Sequence, residues 1–319
     1  MSPGELDTGV RFVVVDALGD GQRIDNFLLR ELKGVPRTLI YRLLRTGEVR
    51  VNKGRAKPGQ RLSPGDRVRI PPVRTTRREP AEAPKRQIDI ILKSKIYEDN
   101  LMLVIDKPSG LAVHGGSGLS YGVIEAMRAA RPEARELELV HRLDRDTSGC
   151  LMLAKRRSAL RRLQTLQRED RVEKRYLALV AGKSRRDRFE VDAPLRKNLL
   201  QGGERIVRVD PEGKPSRTRF RVLERFADSM LVEASLDTGR THQIRVHAAH
   251  SGHPLLGDEK YGDASLNRAY RELGLRRLFL HAWQLRFPWG ESEQSLRVEA
   301  PLPDELEAVL TRLRNPHSV

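Results

Sequence analysis

The stretch His141-Arg142-Leu143-Asp144-Arg145-Asp146-Thr147-Ser148-Gly149 decides how the chain reads, because it sets a carboxylate among arginines in front of a Thr-Ser-Gly turn. The strand-like run Leu151, Met152, Leu153, Ala154 follows almost at once. A turn beside a strand holds a side chain rigidly while leaving it open to a ligand, which makes Asp144 the candidate nucleophile. An acid among arginines is more often a surface ion pair, so Asp144 needs support from elsewhere in the chain.

Charge gives the first support. The 319 residues include 60 Lys+Arg against 43 Asp+Glu, a formal net charge of +17, which marks a polyanion binder more readily than a metabolic enzyme. The first 87 residues hold 19 basic and 10 acidic side chains, a net of +9 that leaves +8 for the much longer remainder. The single cysteine, Cys150, excludes a disulfide framework and a cysteine-rich zinc site; it reads as a small buried hydrophobe and fits a reducing compartment. No stretch approaches the roughly 18 apolar residues of a membrane span, and Met1 to Asp20 lacks a basic region followed by a long apolar run. A cytoplasmic monomer without membrane association is expected.

Residues 1–20 read as an N-terminal extension and residues 21–72 as a compact module. Ile24, Phe27, Leu28 and Leu32 recur at helical spacing, and Pro36 opens a second helix that ends near Gly47. On that helix Leu39, Ile40, Leu43 and Leu44 share one arc, while Arg37, Arg42 and Arg45 share the opposite one. Alternation in Val49 to Asn52 and in Arg67 to Ile70 predicts short strands after the helices. Residues 73–87 turn to Pro, Arg, Thr and Glu and read as a linker, which at such a length spans about 20 to 25 Å.

From 88 to 319 apolar runs predict strands at Leu101–Ile105, Cys150–Ala154, Tyr176–Val180, Phe189–Val191, Met230–Ala234 and Leu278–Phe287. Ser158–Arg168 and Pro303–Arg314 have helical spacing. Strands come in groups rather than alternating with helices, so the fold class is α+β, with a mixed, mainly antiparallel sheet and flanking helices.

Residues 21–72 resemble the alpha-L RNA-binding module, carried by Arg23, Asp25, Pro36, Arg37 and the run Gly47-Glu48-Val49-Arg50-Val51-Asn52. The resemblance implies that Arg23, Arg37, Arg42 and Arg45 contact RNA, and an uncompensated basic surface suits phosphate. The larger region resembles the RluA family of pseudouridine synthases in three blocks: His141 to Gly149, Glu173 to Ala178, and Thr238 to His247, with Gly257, Asp258, Tyr261 and Gly262 after them. The resemblance implies that Asp144 is catalytic, that Tyr176 is the active-site aromatic, that Arg245 pairs with the catalytic carboxylate, and that Arg142 enters the RNA and holds a flipped base. The stretch Lys107 to Pro132 is most similar to members acting on bacterial 23S rRNA. The implied substrates are three of its uridines near and within the peptidyl-transferase centre, in 23S rRNA or a large-subunit precursor; a sibling enzyme acting on other 23S uridines is the alternative.

The implied reaction is an isomerisation in which the bond at uridine N1 breaks and one forms from C5. It requires neither metal nor redox cofactor. A carboxylate drawn out of water favours its protonated form, and a bidentate guanidinium opposes that, which is the role expected of Arg245. Tyr176 has two plausible roles: stacking on the flipped base, worth roughly 1 to 3 kcal/mol, or moving a proton.

Other patterns are read blandly. His242, His247, His250 and His253 resemble a metal cluster, but no carboxylate lies between Thr241 and Pro254. Gly115, Gly116 and Gly118 lack a following Gly-Lys-Ser/Thr and are expected to form a turn at a pocket entrance. A kinase is excluded by the absence of Gly-x-Gly-x-x-Gly and Asp-Phe-Gly. A hydrolase built on Asp144 and His141 needs a positioned base. A non-catalytic ribosome-associated RNA-binding protein is disfavoured by the intact Asp144, Tyr176 and Arg245.

Overall fold

The computed structural model describes residues 9–32, 35, 37–73, 85–115, 121–131, 134, 136–199, 205–290 and 294–315. The chain divides into two compact units, Met1–Ala81 and Glu82–Val319.

The first unit contains β1 (Arg11–Val14), α1 (Ile24–Glu31), α2 (Arg37–Thr46), β2 (Arg50–Val51), β3 (Gly54–Arg55) and β4 (Arg67–Ile70). Its sheet runs β1-β4-β2-β3. Ile24, Phe27 and Leu28 of α1 and Ile40, Leu43 and Leu44 of α2 are buried with Val49, Val68 and Ile70, as the helical spacing predicts. The segment read as an N-terminal extension contributes β1, which pairs with β4 from Arg11↔Ile70 to Val14↔Arg67. Phe12 and Val14 point outward and are more than half exposed, so the period-2 signal of a half-buried strand is blurred there. Residues 74–84 of the expected linker lie outside the described residues. Its last three residues, Lys85 to Gln87, already belong to the next helix.

The second unit follows as α3 (Lys85–Lys93), β5 (Lys95–Glu98), β6 (Met102–Lys107), α4 (Val123–Ala130), β7 (Glu138–Leu139), β8 (Ser148–Ala154), α5 (Arg157–Arg168), β9 (Glu173–Ala181), β10 (Arg188–Asp192), β11 (Leu195–Leu199), β12 (Arg205–Val209), β13 (Arg217–Arg225), β14 (Ser229–Leu236), α6 (Gln243–His250), α7 (Ala264–Glu272), β15 (Leu280–Trp289), β16 (Gln294–Glu299) and α8 (Asp304–Arg314). Its large sheet is ordered β10-β13-β14-β9-β15-β8-β6-β5, with β16 on β15 and β7 on β8. Among the described residues, only the β15–β8 pairing is parallel.

Alternation along the central strands divides the core. Leu103, Leu151, Ala178, Val232 and Leu280 join residues of α4 and α6 on one face. Val104, Met152 and Leu285 face α5, and Leu179 and Leu231 face α8. All seven residues of β8 are therefore buried, Cys150 among them. Each fully buried aliphatic side chain in these layers stabilises by about 1.5–3 kcal/mol relative to exposure.

Glu98 on β5 ties the edge of this sheet together. It accepts both arms of Arg131 (2.5 and 3.1 Å) and the ammonium of Lys155 (3.0 Å), with Lys95 at 3.2 Å. These cations, Arg131 foremost, lower its pKa to about 2. A depressed carboxyl pKa stabilises the fold fully above the unfolded value and less as pH falls through the folded one. Glu98→Gln should therefore cost about 1–2 kcal/mol near neutral pH. Urea titrations of wild type and variant should converge between about pH 4.5 and pH 2. A gap that persists undiminished across that window would show that Glu98 contributes through packing.

Candidate active site

Asp144 sits on a turn closed by the Thr147 amide donating to the Asp144 carbonyl (3.2 Å), directly before β8. Side chains from distant parts of the unit fix that turn. Arg277 donates to the Ser148 hydroxyl (2.7 Å), which lies 2.9 Å from Nδ1 of buried His281; Nε2 of His281 meets the Ala300 carbonyl at 3.1 Å. With Ser148 accepting from Arg277, its own proton goes to Nδ1, and the His281 proton resides on Nε2. Buried Lys107 donates to the carbonyls of Pro108 (2.8 Å), Leu111 (2.8 Å) and Arg145 (3.0 Å), joining two loops beside the carboxylate. Burial lowers its pKa to about 7, with Arg277 adding to the shift. Gly149, at φ 108°, has no room for a Cβ, which would collide with the Ala282 carbonyl across the parallel pairing.

The carboxylate opens into a cavity of about 850 Å³, lined by Arg142, His114, His242, Arg245, Lys260 and Arg277 among others. Gly115 also lines it, and its amide donates to Glu125 (3.1 Å). Gly116 and Gly118 lie outside the described residues.

Arg245 enters from α6 and meets Asp144 differently from the expectation. Its Nη1 lies 3.5 Å from Oδ2 of Asp144. The bidentate partner is instead Asp258, which accepts from Nε at 2.7 Å and Nη2 at 2.8 Å. Oδ1 of Asp258 also accepts the amides of Lys260 (2.9 Å) and Tyr261 (3.0 Å). Burial alone would favour the neutral acid; Arg245 and these amides outweigh it and lower the pKa of Asp258. The fork is thus consumed below the pocket, and its remaining nitrogen is aimed at Asp144. The sequence carried the signal in Gly257-Asp258, but nothing in the spacing distinguished which of two acids takes the fork.

His242, read blandly from sequence, belongs to this cluster. It is the residue before α6 and adopts a left-handed backbone, φ 55°. Nε2 lies 3.8 Å from Oδ2 of Asp144, and Nδ1 lies 2.7 Å from the Tyr261 hydroxyl. The other histidines go elsewhere: His247 to Thr218 and the Ala193 carbonyl, His253 to the Ala181 carbonyl. Among the described residues no group of His, Cys, Asp and Glu is arranged to hold a metal ion.

Tyr176 lies on β9, 7% exposed, opposite Ala234. Burial, and then the field of Asp144, push its phenol above the usual range. Arg142 is exposed on the cavity wall. His141 turns away from any catalytic role: its Nε2 accepts the Met152 amide (3.1 Å), and burial lowers its pKa to about 3. In the first unit Arg42 and Arg45 are exposed on the face of α2 opposite its buried leucines. Arg23 forks onto buried Asp25 (3.1 and 2.8 Å), which also accepts from Tyr41 (2.7 Å). The side chain of Arg37 lies outside the described residues.

Residues 101–250 match the RNA pseudouridylate synthase family model, and residues 22–68 match the S4 domain. The chain is similar to the ribosomal large subunit pseudouridine synthase C of Escherichia coli K12, 56% identical over 314 residues that cover 96% of this chain and 97% of the relative. The enzyme of the same name from Pasteurella multocida is 53% identical, covering 98% and 97%. Among solved structures, human RNA pseudouridylate synthase domain containing 4 aligns with a TM-score of 0.60 at 28% identity, covering 72% of this chain and 96% of that one. The turn that carries Asp144, the arginine beside it and identity along nearly the whole length agree: this chain belongs to the RNA pseudouridylate synthase family, with an S4 domain ahead of the synthase domain.

Proposed function

We propose that the chain isomerises uridines of bacterial 23S rRNA to pseudouridine, with Asp144 as the nucleophile. The observation that carries this reading is the Asp144 carboxylate, fixed on a turn and facing Arg245, in a cavity of about 850 Å³ whose lining includes Arg142, Lys260, Arg276 and Arg277. A flipped uridine can enter such a space; extruding it costs a few kcal/mol, and the cationic wall compensates by meeting phosphates. Identity to the synthase C relatives points to the uridines near and within the peptidyl-transferase centre.

Arg142, exposed on the cavity wall, enters the RNA beside the extruded base. Tyr176 is too buried to offer an open stacking face, so of its two roles the proposal favours moving a proton. Arg245, locked by Asp258, keeps Asp144 ionised and oriented. Arg42 and Arg45, with no ion pair among the described residues, supply phosphate contacts. Arg23 acts through Asp25, since its charge is already engaged there. The enzyme works as a cytoplasmic monomer. No described helix is long and apolar enough to cross a membrane.

Asp144→Asn removes the charge at nearly constant volume. It should leave folding and RNA affinity intact and end pseudouridine formation, read by chemical mapping of 23S rRNA in cells carrying wild type or variant. Turnover within about tenfold of wild type, which is roughly 1.4 kcal/mol of barrier, would rule out a nucleophilic role.

Arg245→Ala should cost about 3–5 kcal/mol, because it strands a buried carboxylate. Adding Asp258→Asn should recover part of that loss, whereas adding Asp144→Ala should recover little, since Asp144 faces the cavity. Equal recovery from both would contradict the geometry. Arg42→Ala combined with Arg45→Ala should weaken rRNA binding and flatten its log-log salt slope by about 1.5; an unchanged slope would make this face a solvated surface only.

A further inference from the structure

Tyr261 and His242 form a hydrogen-bonded chain that ends at the catalytic carboxylate. The Val207 amide on β12 donates to the Tyr261 hydroxyl (3.1 Å), and that hydroxyl lies 2.7 Å from Nδ1 of His242. A peptide N–H can only donate, so the hydroxyl oxygen accepts it, and among the described residues the one acceptor within reach of the hydroxyl proton is Nδ1. The neutral ring then carries its proton on Nε2, the nitrogen aimed at Asp144. Both cationic or N–H groups near that carboxylate fall on the same oxygen: Arg245 Nη1 at 3.5 Å and His242 Nε2 at 3.8 Å from Oδ2. Tyr261 is itself clamped, with the Arg245 guanidinium 5.0 Å from its ring centroid and the His242 ring edge-on at 5.5 Å.

We propose that Tyr261 and His242 are positioning residues for the reaction: Tyr261 holds His242 as its Nε2–H tautomer, and that N–H pins Oδ2 of Asp144 so that Oδ1 is the oxygen presented to the nucleoside. At 3.8 Å the last contact is longer than a hydrogen bond, and a movement of under one ångström as substrate seats closes it. The groups facing His242 are Asp144, Arg245, Lys260, Asp258 and Tyr261; burial lowers its pKa, Arg245 and Lys260 add to that, and the two carboxylates oppose it, so the neutral ring prevails. Because Val207 lies on the β11–β12 hairpin, whose Ile206 lines the same cavity, the seating of that hairpin is felt at the carboxylate.

The inference rests on Asp144 being the nucleophile, and its test separates the two. Nitrogen-15 NMR of the free, histidine-labelled protein reads the tautomer without any turnover: wild type should show His242 protonated at Nε2 and bare at Nδ1, and Tyr261→Phe should show exchange between tautomers. Kinetics with an in vitro 23S rRNA transcript carrying tritium at uridine C5 should then show Tyr261→Phe lowering kcat about tenfold with KM within about twofold, the signature of an interaction used in the transition state. His242→Gln can place an amide N–H where Nε2 stood, whereas His242→Asn cannot reach Asp144 but suits the left-handed backbone better. Gln should therefore retain more kcat than Asn, even if Asn is the more stable protein. A proton on Nδ1 in wild type, a Tyr261→Phe defect confined to KM, or Asn outperforming Gln would overturn the proposal. A wild-type protein that releases no tritium overturns the assigned reaction instead, and the tautomer still decides whether the strut exists.

Discussion

A guanidinium buried beneath the pocket has to be neutralised before it can serve a carboxylate above it, and the Arg245–Asp258 fork meets that requirement. With two nitrogens bound to an acid that has no solvent exposure, the third is directed rather than mobile. The loop from Gly257 to Gly262 exists in its observed form because Asp258 gathers two of its own amides as well as the arginine. Tyr261 is thereby brought under the guanidinium and against His242. Break the fork and the ring, the histidine and the orientation of Asp144 lose their common support.

Much of this was legible in the residues. Continuous apolar runs located the central strands, and the opposed arcs of α2 separated its buried leucines from Arg42 and Arg45, because both signals are local. What the sequence concealed was partnership across distance. Arg245 has two acids within reach, thirteen residues ahead and about a hundred behind, and no periodicity distinguishes them. His242 sat in a run of histidines whose spacing suggested one shared purpose, whereas the rings of His242, His247 and His253 each meet a different neighbour. Lys107 looked like part of an ordinary Lys-Pro-Ser-Gly turn, yet its ammonium is buried against three carbonyls from two loops. β1 escaped notice because its outward side chains are as apolar as its inward ones.

The two units divide the task by physical means. In the proposed function the exposed arginines on α2 act through long-range charge, which draws RNA of any sequence and weakens with salt. In the same proposal the second unit works at contact distance, where the Arg245–Asp258 fork and the Tyr261–His242 pair would leave one oxygen of Asp144 available. Attraction and selectivity thus depend on different terms and can change independently.

The parallel contact between β8 and β15 has a consequence for synthesis of the protein. Ser148 and Gly149, which follow the Asp144 turn, rest against His281 and Ala282, more than 130 residues later in the chain. Pairing of such separation forms slowly and cannot begin until both strands exist. The first unit, by contrast, draws its contacts from the first 81 residues alone, and domains generally fold as units as the chain emerges. The turn that carries Asp144 is set only when β15 arrives, so in the proposed function RNA binding by the first unit would precede assembly of the active site.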